Sequence, residues 1–344
     1  MSKLFSSIVL VLFVAATSQT QWQRHNVNTT ADFRGLSVVN ENIAWSSGTK
    51  GTFLRTVDGK LWQVGTVQGA EALDFRDIEA FDANTAYILS VGAGESSRIY
   101  KTTDGGNTWG LQFKNTNPKV FLTAFAFWDD KNGIAISNPV DGHYQLITTE
   151  DGGVNWKPLI PQFMPLTFEG ESSFTVSGTC ITVQGSNNIW FVTGGTTARV
   201  FSSTNRGLTW TVRDTPLMNG VENESAGIFS VAFYDAESGI VVGGDYRKPN
   251  DKSKTIALTI NGGYKWMPIK NSTLSGFRSC IVYVPGTKGK TWVAAGSSGS
   301  DISTDGGLTW KELDKGSYHT VGFANSKTGW AVGPNGTVAR FIAR

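Results

Sequence analysis

The stretch TTDGGNTW, Thr102 to Trp109, decides how the rest of the chain reads. Its pattern is Ser/Thr-x-Asp-x-Gly-x-Thr-Trp. The Asp accepts amide protons inside a tight turn, the Gly takes positive φ, and the next strand opens on a Trp to bury. STDGGLTW, Ser303 to Trp310, repeats it. Looser copies are TEDGGVNW (Thr149 to Trp156), STNRGLTW (Ser203 to Trp210) and TINGGYKW (Thr259 to Trp266). TVDGKLW, Thr56 to Trp62, is one residue short between Asp58 and Trp62. The turn acceptors are therefore Asp58, Asp104, Asp151, Asn205, Asn261 and Asp305, with a structural role. One copy would carry little; several at regular spacing identify a repeat architecture.

The tryptophans that close these turns lie 47, 47, 54, 56 and 44 residues apart. That period suits a four-stranded propeller blade. In the second unit FRDIEAF (Phe75 to Phe81) reads as the inner strand, TAYILSV (Thr85 to Val91) as the next, and RIYKTT (Arg98 to Thr103) as the third. The turn and the strand opened by Trp109 follow. No segment carries sustained helical periodicity, so helix should be negligible.

The chain ends settle closure. The last unit has three strands, near Tyr318 to Ala324, Gly329 to Val332 and Thr337 to Ile342, and then stops. The segment TQWQRHNV, from Thr20, looks like a post-turn strand without its turn, and Trp22 lies 40 residues before Trp62. Residues near 20–28 are expected to complete the last blade and so remove the open edges. The fold class is all-β, a seven-bladed β-propeller of four-stranded blades closed by the N-terminal strand. The competing arrangement is an open array, or a six-bladed ring with a loose tail.

The first residues read differently. Lys3 precedes the apolar run IVLVLFVAA, Ile8 to Ala16, and small polar residues follow. The run is too short to span a bilayer as a helix. Residues 1–18 are expected to be a signal peptide and 19–344 the propeller, secreted or periplasmic once cleaved. An uncleaved anchor is the alternative; no Cys lies there to carry a lipid. Cys180 and Cys280, the only cysteines, fall on inner strands of non-neighbouring blades and should be separate buried thiols.

Charged residues are 17% of the chain and the net charge is +2. With no Lys/Arg run, nucleic acid is not expected as a partner. Three His and two Cys show no metal spacing. GTKGKT, Gly286 to Thr291, ends like a phosphate loop, but position 284 is Val where a Gly is required. GSSGS, Gly296 to Ser300, lacks the final Gly of a nucleophile elbow. A nicotinamide or flavin fingerprint is absent, so no cofactor is expected. Oligomeric state is not readable from the sequence; a monomer is the expectation.

Topology sorts the remaining residues by face. Inner-strand starts share a rim with the loops from second to third strands; the repeated turns share the opposite rim. The starts read Phe33-Arg34, Phe75-Arg76, Phe121-Leu122, Phe174-Thr175, Phe229-Ser230, Phe277-Arg278 and Tyr318-His319. Adjacent strand residues face opposite ways. If the aromatic packs between blades, the next side chain points to the tunnel or its rim. Arg34, Arg76, Arg278 and His319 would then form a basic arc over consecutive blades, an anion or carboxylate site, with solvated rim charges as the plain reading. Long loops break the repeat on the same rim. They are GGDYRKPNDKSK (Gly243 to Lys254, with Asp245, Tyr246, Arg247 and Lys248), PQFMPLTFEGESS (Pro161 to Ser173, with Glu169 and Glu171) and NPVDGHY (Asn138 to Tyr144, with Asp141 and His143).

The turn repeats resemble the Asp boxes of the sialidase, or bacterial neuraminidase repeat, superfamily. The fuller pattern, F-R-x-[ILV] opening a unit and T-T-D-G-G-x-T-W closing it, resembles the photosystem II stability and assembly factor group over essentially the whole mature chain. That likeness implies a chaperone-like binding factor without catalysis. Sialidases hold a substrate carboxylate with arginines, the first in F-R-[IL]-P; Phe33-Arg34-Gly35-Leu36 and Phe75-Arg76-Asp77-Ile78 lack the Pro. Their remaining chemistry would fall by residue type on Glu171, Asp245 and Tyr246. Two expectations follow. One is an exported binding propeller that takes a protein segment or carboxylate-bearing glycan through Arg34, Arg76, Arg278, His319 and Arg247. The other is a carbohydrate-active hydrolase or lyase with acid–base carboxylates among Glu169, Glu171, Asp141 and Asp245.

Overall fold

A computed structural model describes residues 21–220 and 224–343; the signal-peptide expectation lies outside them. The described strands form seven blades around one ring. Blade one is Phe33–Val38, Ala44–Gly48, Thr52–Thr56 and Gln63–Thr66, all antiparallel. Blade two is Asp74–Ala80, Ala86–Val91, Arg98–Thr102 and Gly110–Lys114. Blades three, five and six repeat the pattern from Leu122–Phe127, Ala226–Phe233 and Cys280–Tyr283. Among the described residues the helix content is one 3-10 turn, Gly94–Ser96, and no helix is long and apolar enough to cross a membrane.

Blade seven closes the ring as the chain ends require. Thr320–Asn325, Thr328–Val332 and Val338–Phe341 take Trp22–His25 as their fourth strand, with Trp22 opposite Phe341 and His25 opposite Val338. Trp22 is buried against Tyr318, Phe323 and Phe341 and donates its indole N–H to Ser300 Oγ of blade six at 2.9 Å. The closure therefore combines a backbone ladder with burial of a large aromatic, a contribution of about 2–3 kcal/mol for the side chain alone.

The repeated turns owe their shape to one acceptor each. Asp104 Oδ1 accepts from the Thr108 amide and the Thr102 hydroxyl, both at 2.9 Å, and Oδ2 from the Thr108 hydroxyl at 2.6 Å. The Thr108 bonds hold the exposed carboxyl down at about 2. Asp305 repeats the pattern with Thr309, Asp151 uses Asn155, and Asn205 uses Thr209. The shortened Asp58 turn bonds the Lys60 and Leu61 amides instead. Two of the tryptophans after these turns pack across a blade boundary, Trp109 edge-on to Trp45 of blade one and Trp62 edge-on to Trp330 of blade seven, while Trp156, Trp210 and Trp266 lie edge-on to Phe127, Phe191 and Phe233 of their own blades.

Blade four departs from the repeat. Its inner strand is Ile181–Gln184, not a strand opening at Phe174. The intervening residues run across the ring axis. Arg76 of blade two donates to Thr175 Oγ1 at 2.9 Å, and Ser177 Oγ donates to the Ser279 carbonyl of blade six at 2.8 Å. Thr320 Oγ1 of blade seven donates to the Ser177 carbonyl, and Val231 N of blade five to the Thr179 carbonyl. Only a segment on the axis can touch blades two, five, six and seven, so residues 174–179 plug the tunnel. The displaced entry strand is Glu171–Ser172, which pairs with Gly194–Gly195 and joins blade five's sheet. Cys180 and Cys280 are both free and buried.

Candidate functional site

Arg34 and Arg76 are each the extra residue of a β-bulge. The inner-strand registers shift between Phe33 and Gly35 and between Phe75 and Asp77. Simple alternation would not fix where such a residue points; a bulge re-aims it. The flanking aromatics behave as expected, Phe33 and Phe75 being fully buried. Both arginines emerge half-buried at the mouth of the plugged tunnel.

Their environments differ. Arg76 is tied down: Nε and Nη2 bond Asp74 Oδ2 at 2.8 and 2.7 Å, and Nη1 reaches Thr175 on the plug. Arg34 has no such partner, and its buried Nε makes no hydrogen bond. Burial, then the Arg76 charge, lowers its pKa, while Asp74 and Asp32 partly offset this. Asp74 Oδ1 is likewise buried without a partner. Both atoms are shut off from solvent, which makes them costly; the donors a ligand can meet here are the Arg34 Nη atoms, which make no hydrogen bond to a described residue.

His319 joins this cluster in neutral form. Burial and the nearby Arg34 charge lower its pKa to about 4. Nδ1 lies 2.9 Å from the Phe33 carbonyl, which can only accept, so the proton sits on Nδ1 and Nε2 is left as an acceptor. The histidine thus adds no positive charge near pH 7. Asp32, whose Oδ1 accepts from the Asn335 amide, and Asp74 balance the two arginines. The expected basic arc is in fact a mixed patch of donors and acceptors. Asp32, Asp74 and Thr175 were not singled out in the sequence, although DFR recurs at 32–34 and 74–76 and was there to be noticed.

Arg278 departs furthest from the rim expectation. It is fully buried, with Nε and Nη2 on Asp301 Oδ2 at 2.6 and 2.5 Å and Nη1 on Ser298 Oγ and the Phe277 carbonyl. It is a packed ion pair inside blade six and offers no surface. Arg247 is exposed on blade five, its guanidinium 5.8 Å from the Tyr246 ring, and no interaction links it to Arg34 or Arg76.

The weaker acid–base candidates are engaged within the protein or lie at its surface. Glu171 is buried with both oxygens engaged: Arg199 pairs with both, Thr193 Oγ1 donates to Oε1 and the Phe168 amide to Oε2. Asp245 is buried and accepts from Ser225 Oγ and the Arg247 amide. Asp141 pairs with Lys119 at the surface, and Glu169, His143 and Tyr246 are exposed. No group of three or more His, Cys, Asp or Glu among the described residues could hold a metal ion.

No family model matches the chain, and no curated protein matches it. Solved structures do. YCF48 bound to D1 peptide is similar at TM-score 0.68 and 17% identity, over 96% of this chain and 97% of that one. YCF48 from Cyanidioschyzon merolae is similar at TM-score 0.62 and 18% identity, over 93% and 98%. An ancestral GH74 enzyme is similar at TM-score 0.64 and 14% identity, over 94% of this chain but 46% of its own. At such identities the likeness establishes the propeller fold.

Proposed function

We propose that the chain is an exported, non-enzymatic binding propeller, of the assembly-factor type, that takes a carboxylate-bearing protein segment on the face formed by Arg34, Arg76, His319 and the plug. The observation that carries this reading is Arg34: a half-buried guanidinium whose accessible Nη atoms make no hydrogen bond to a described residue, beside a second arginine already anchored on Asp74. A carboxylate would be held by the Arg34 Nη atoms, which are not shut off from solvent. The plug closes the tunnel below, so the site is a shallow surface suited to an extended segment. The chain's likeness to a propeller seen with a bound peptide supports the reading. The hydrolase alternative draws no support from the carboxylates, since Glu171 is consumed by Arg199, Asp245 is buried on Ser225 and the Arg247 amide, and Asp141 pairs with Lys119.

The test is affinity capture from the exported fraction of the native cell, with wild-type chain and an Arg34→Ala, Arg76→Ala double variant as baits. A protein held by the first and lost by the second supports the reading and names the partner. Equal capture by both would overturn it. Arg278 stays unaltered in both baits, because its substitution would test folding.

A further inference from the structure

On the opposite face, between blades three and four, lies a half-open cavity of about 360 Å3. Its lining includes Trp128, Glu150, Leu159, Asn187, Thr204 and Arg206. That volume is in the range of small-molecule pockets.

Arg206 marks it. Position 206 belongs to the repeated turn, whose other copies place Gly59, Gly105, Gly152, Gly262 and Gly306 here, all at positive φ. Arg206 adopts the same left-handed backbone, at φ 56, which a residue with a Cβ resists. A non-Gly residue held in that conformation is reason to ask what its side chain does. Its Nε donates to the Ser186 carbonyl at 2.7 Å, Nη1 to Asn132 Oδ1 at 3.0 Å, and the guanidinium stands 5.6 Å from the Trp128 ring centre. Nη2 has no protein partner. The same turn carries Asn205 where most copies have Asp, and the carboxylate that feels the Arg206 charge is Asp129 of blade three.

Asn132, Thr149 and Asn205 in the lining are engaged within the protein, but three other polar groups are open. Glu150, Asn187 and Thr204 are exposed, and none of their side-chain atoms bonds to protein. The cavity thus joins an aromatic and an aliphatic surface, from Trp128 and Leu159, to a cation, an anion, an amide and a hydroxyl. A lone anion would suit Arg206 but meet Glu150; a lone cation would meet the reverse. A pyranose suits both. Its C–H face lies on the apolar surface, and its hydroxyls donate to Glu150 and accept from Arg206 and Asn187.

We infer that the cleft between blades three and four binds a neutral hexopyranose unit, free or as a glycan residue, on the face away from the peptide site.

The test titrates glucose, galactose, mannose, N-acetylglucosamine, cellobiose and lactose into the mature chain, following binding by calorimetry and the indole N–H signals by NMR. At least one is expected to saturate with Kd of about a millimolar, and to weaken at least ~10-fold in both Arg206→Gly and Glu150→Gln. Arg206→Gly restores the residue common to the other turns and should fold with an undiminished Tm. Failure of every sugar to saturate by ~50 mM would overturn the inference. So would affinity unchanged in both variants. A lowered Tm in Arg206→Gly without sugar binding by wild type would make Arg206 a staple between blades and overturn it equally.

Discussion

Gly178 lies directly against the carboxylate of Asp77. A Cβ built on Gly178 would fall 2.8 Å from Asp77 Cγ, and the residue already sits at φ +71. Asp77 cannot retreat, since its two oxygens accept from the Ile78 and Phe125 amides. The plug is thus locked at its tip by a glycine required both for its backbone and for its lack of a side chain. Gly178→Ala should cost about 2–4 kcal/mol, combining left-handed strain with overpacking. Urea unfolding measures it. The cost should fall in an Asp77→Ala background, giving a non-additive pair. A loss under ~0.5 kcal/mol in Gly178→Ala would mean the plug is not held there.

The two arginines one residue beyond Phe33 and Phe277 should behave oppositely. Arg278→Ala leaves the buried Asp301 carboxylate without its guanidinium and should destabilise by about 3–5 kcal/mol. Arg34→Ala removes a desolvated charge with an unmet donor and should leave stability unchanged or raise it by up to ~1 kcal/mol. Chemical denaturation of the two variants side by side checks both, and similar losses would refute the assignment of one to packing and the other to binding.

Removing residues 21–27 should open blade seven. The deletion takes away the ladder on Val338–Phe341, the buried Trp22 and its bond to Ser300. Tm is expected to drop by more than ~10 °C. Trp22→Phe should lose less, keeping part of the aromatic packing but not the indole N–H bond.

Two groups near the ring axis should pull stability in opposite directions with pH. His319 falls from 6.5 unfolded to about 4 folded, so the unfolded chain binds more protons between these values and the His319 contribution is lost as pH falls. Glu79 rises from 4.5 to about 7 through burial, so the folded chain binds more protons and its contribution is lost as pH rises. Relative to wild type, Glu79→Gln should show stability climbing more steeply from pH 4.5 to 6.5, and His319→Asn should show the reverse tilt. Urea midpoints at three pH values decide it; parallel curves for all three proteins would exclude both shifts.

The sequence by itself determined the ring. The turn repeat and its spacing depend on residues within about fifty positions of one another, local turn chemistry acts the same in every copy, and the incomplete units at the two ends are visible by comparison with those copies even though the strands that pair there are far apart in sequence. The DFR pair was legible on the same terms. Charge state and exposure were not. Whether an arginine after the aromatic is a surface donor or a buried partner depends on what other strands bring to it. Asp301 lies 23 residues beyond Arg278, Thr175 lies 99 beyond Arg76, and the Phe33 carbonyl lies 286 before His319. The plug is the clearest case: a few residues of blade four that fail to continue a strand have meaning only on the ring axis, where blades two, five, six and seven meet them. Repeats are short-range and additive, whereas burial, ionisation and bulge geometry belong to the assembled ring, and only tertiary structure decides those.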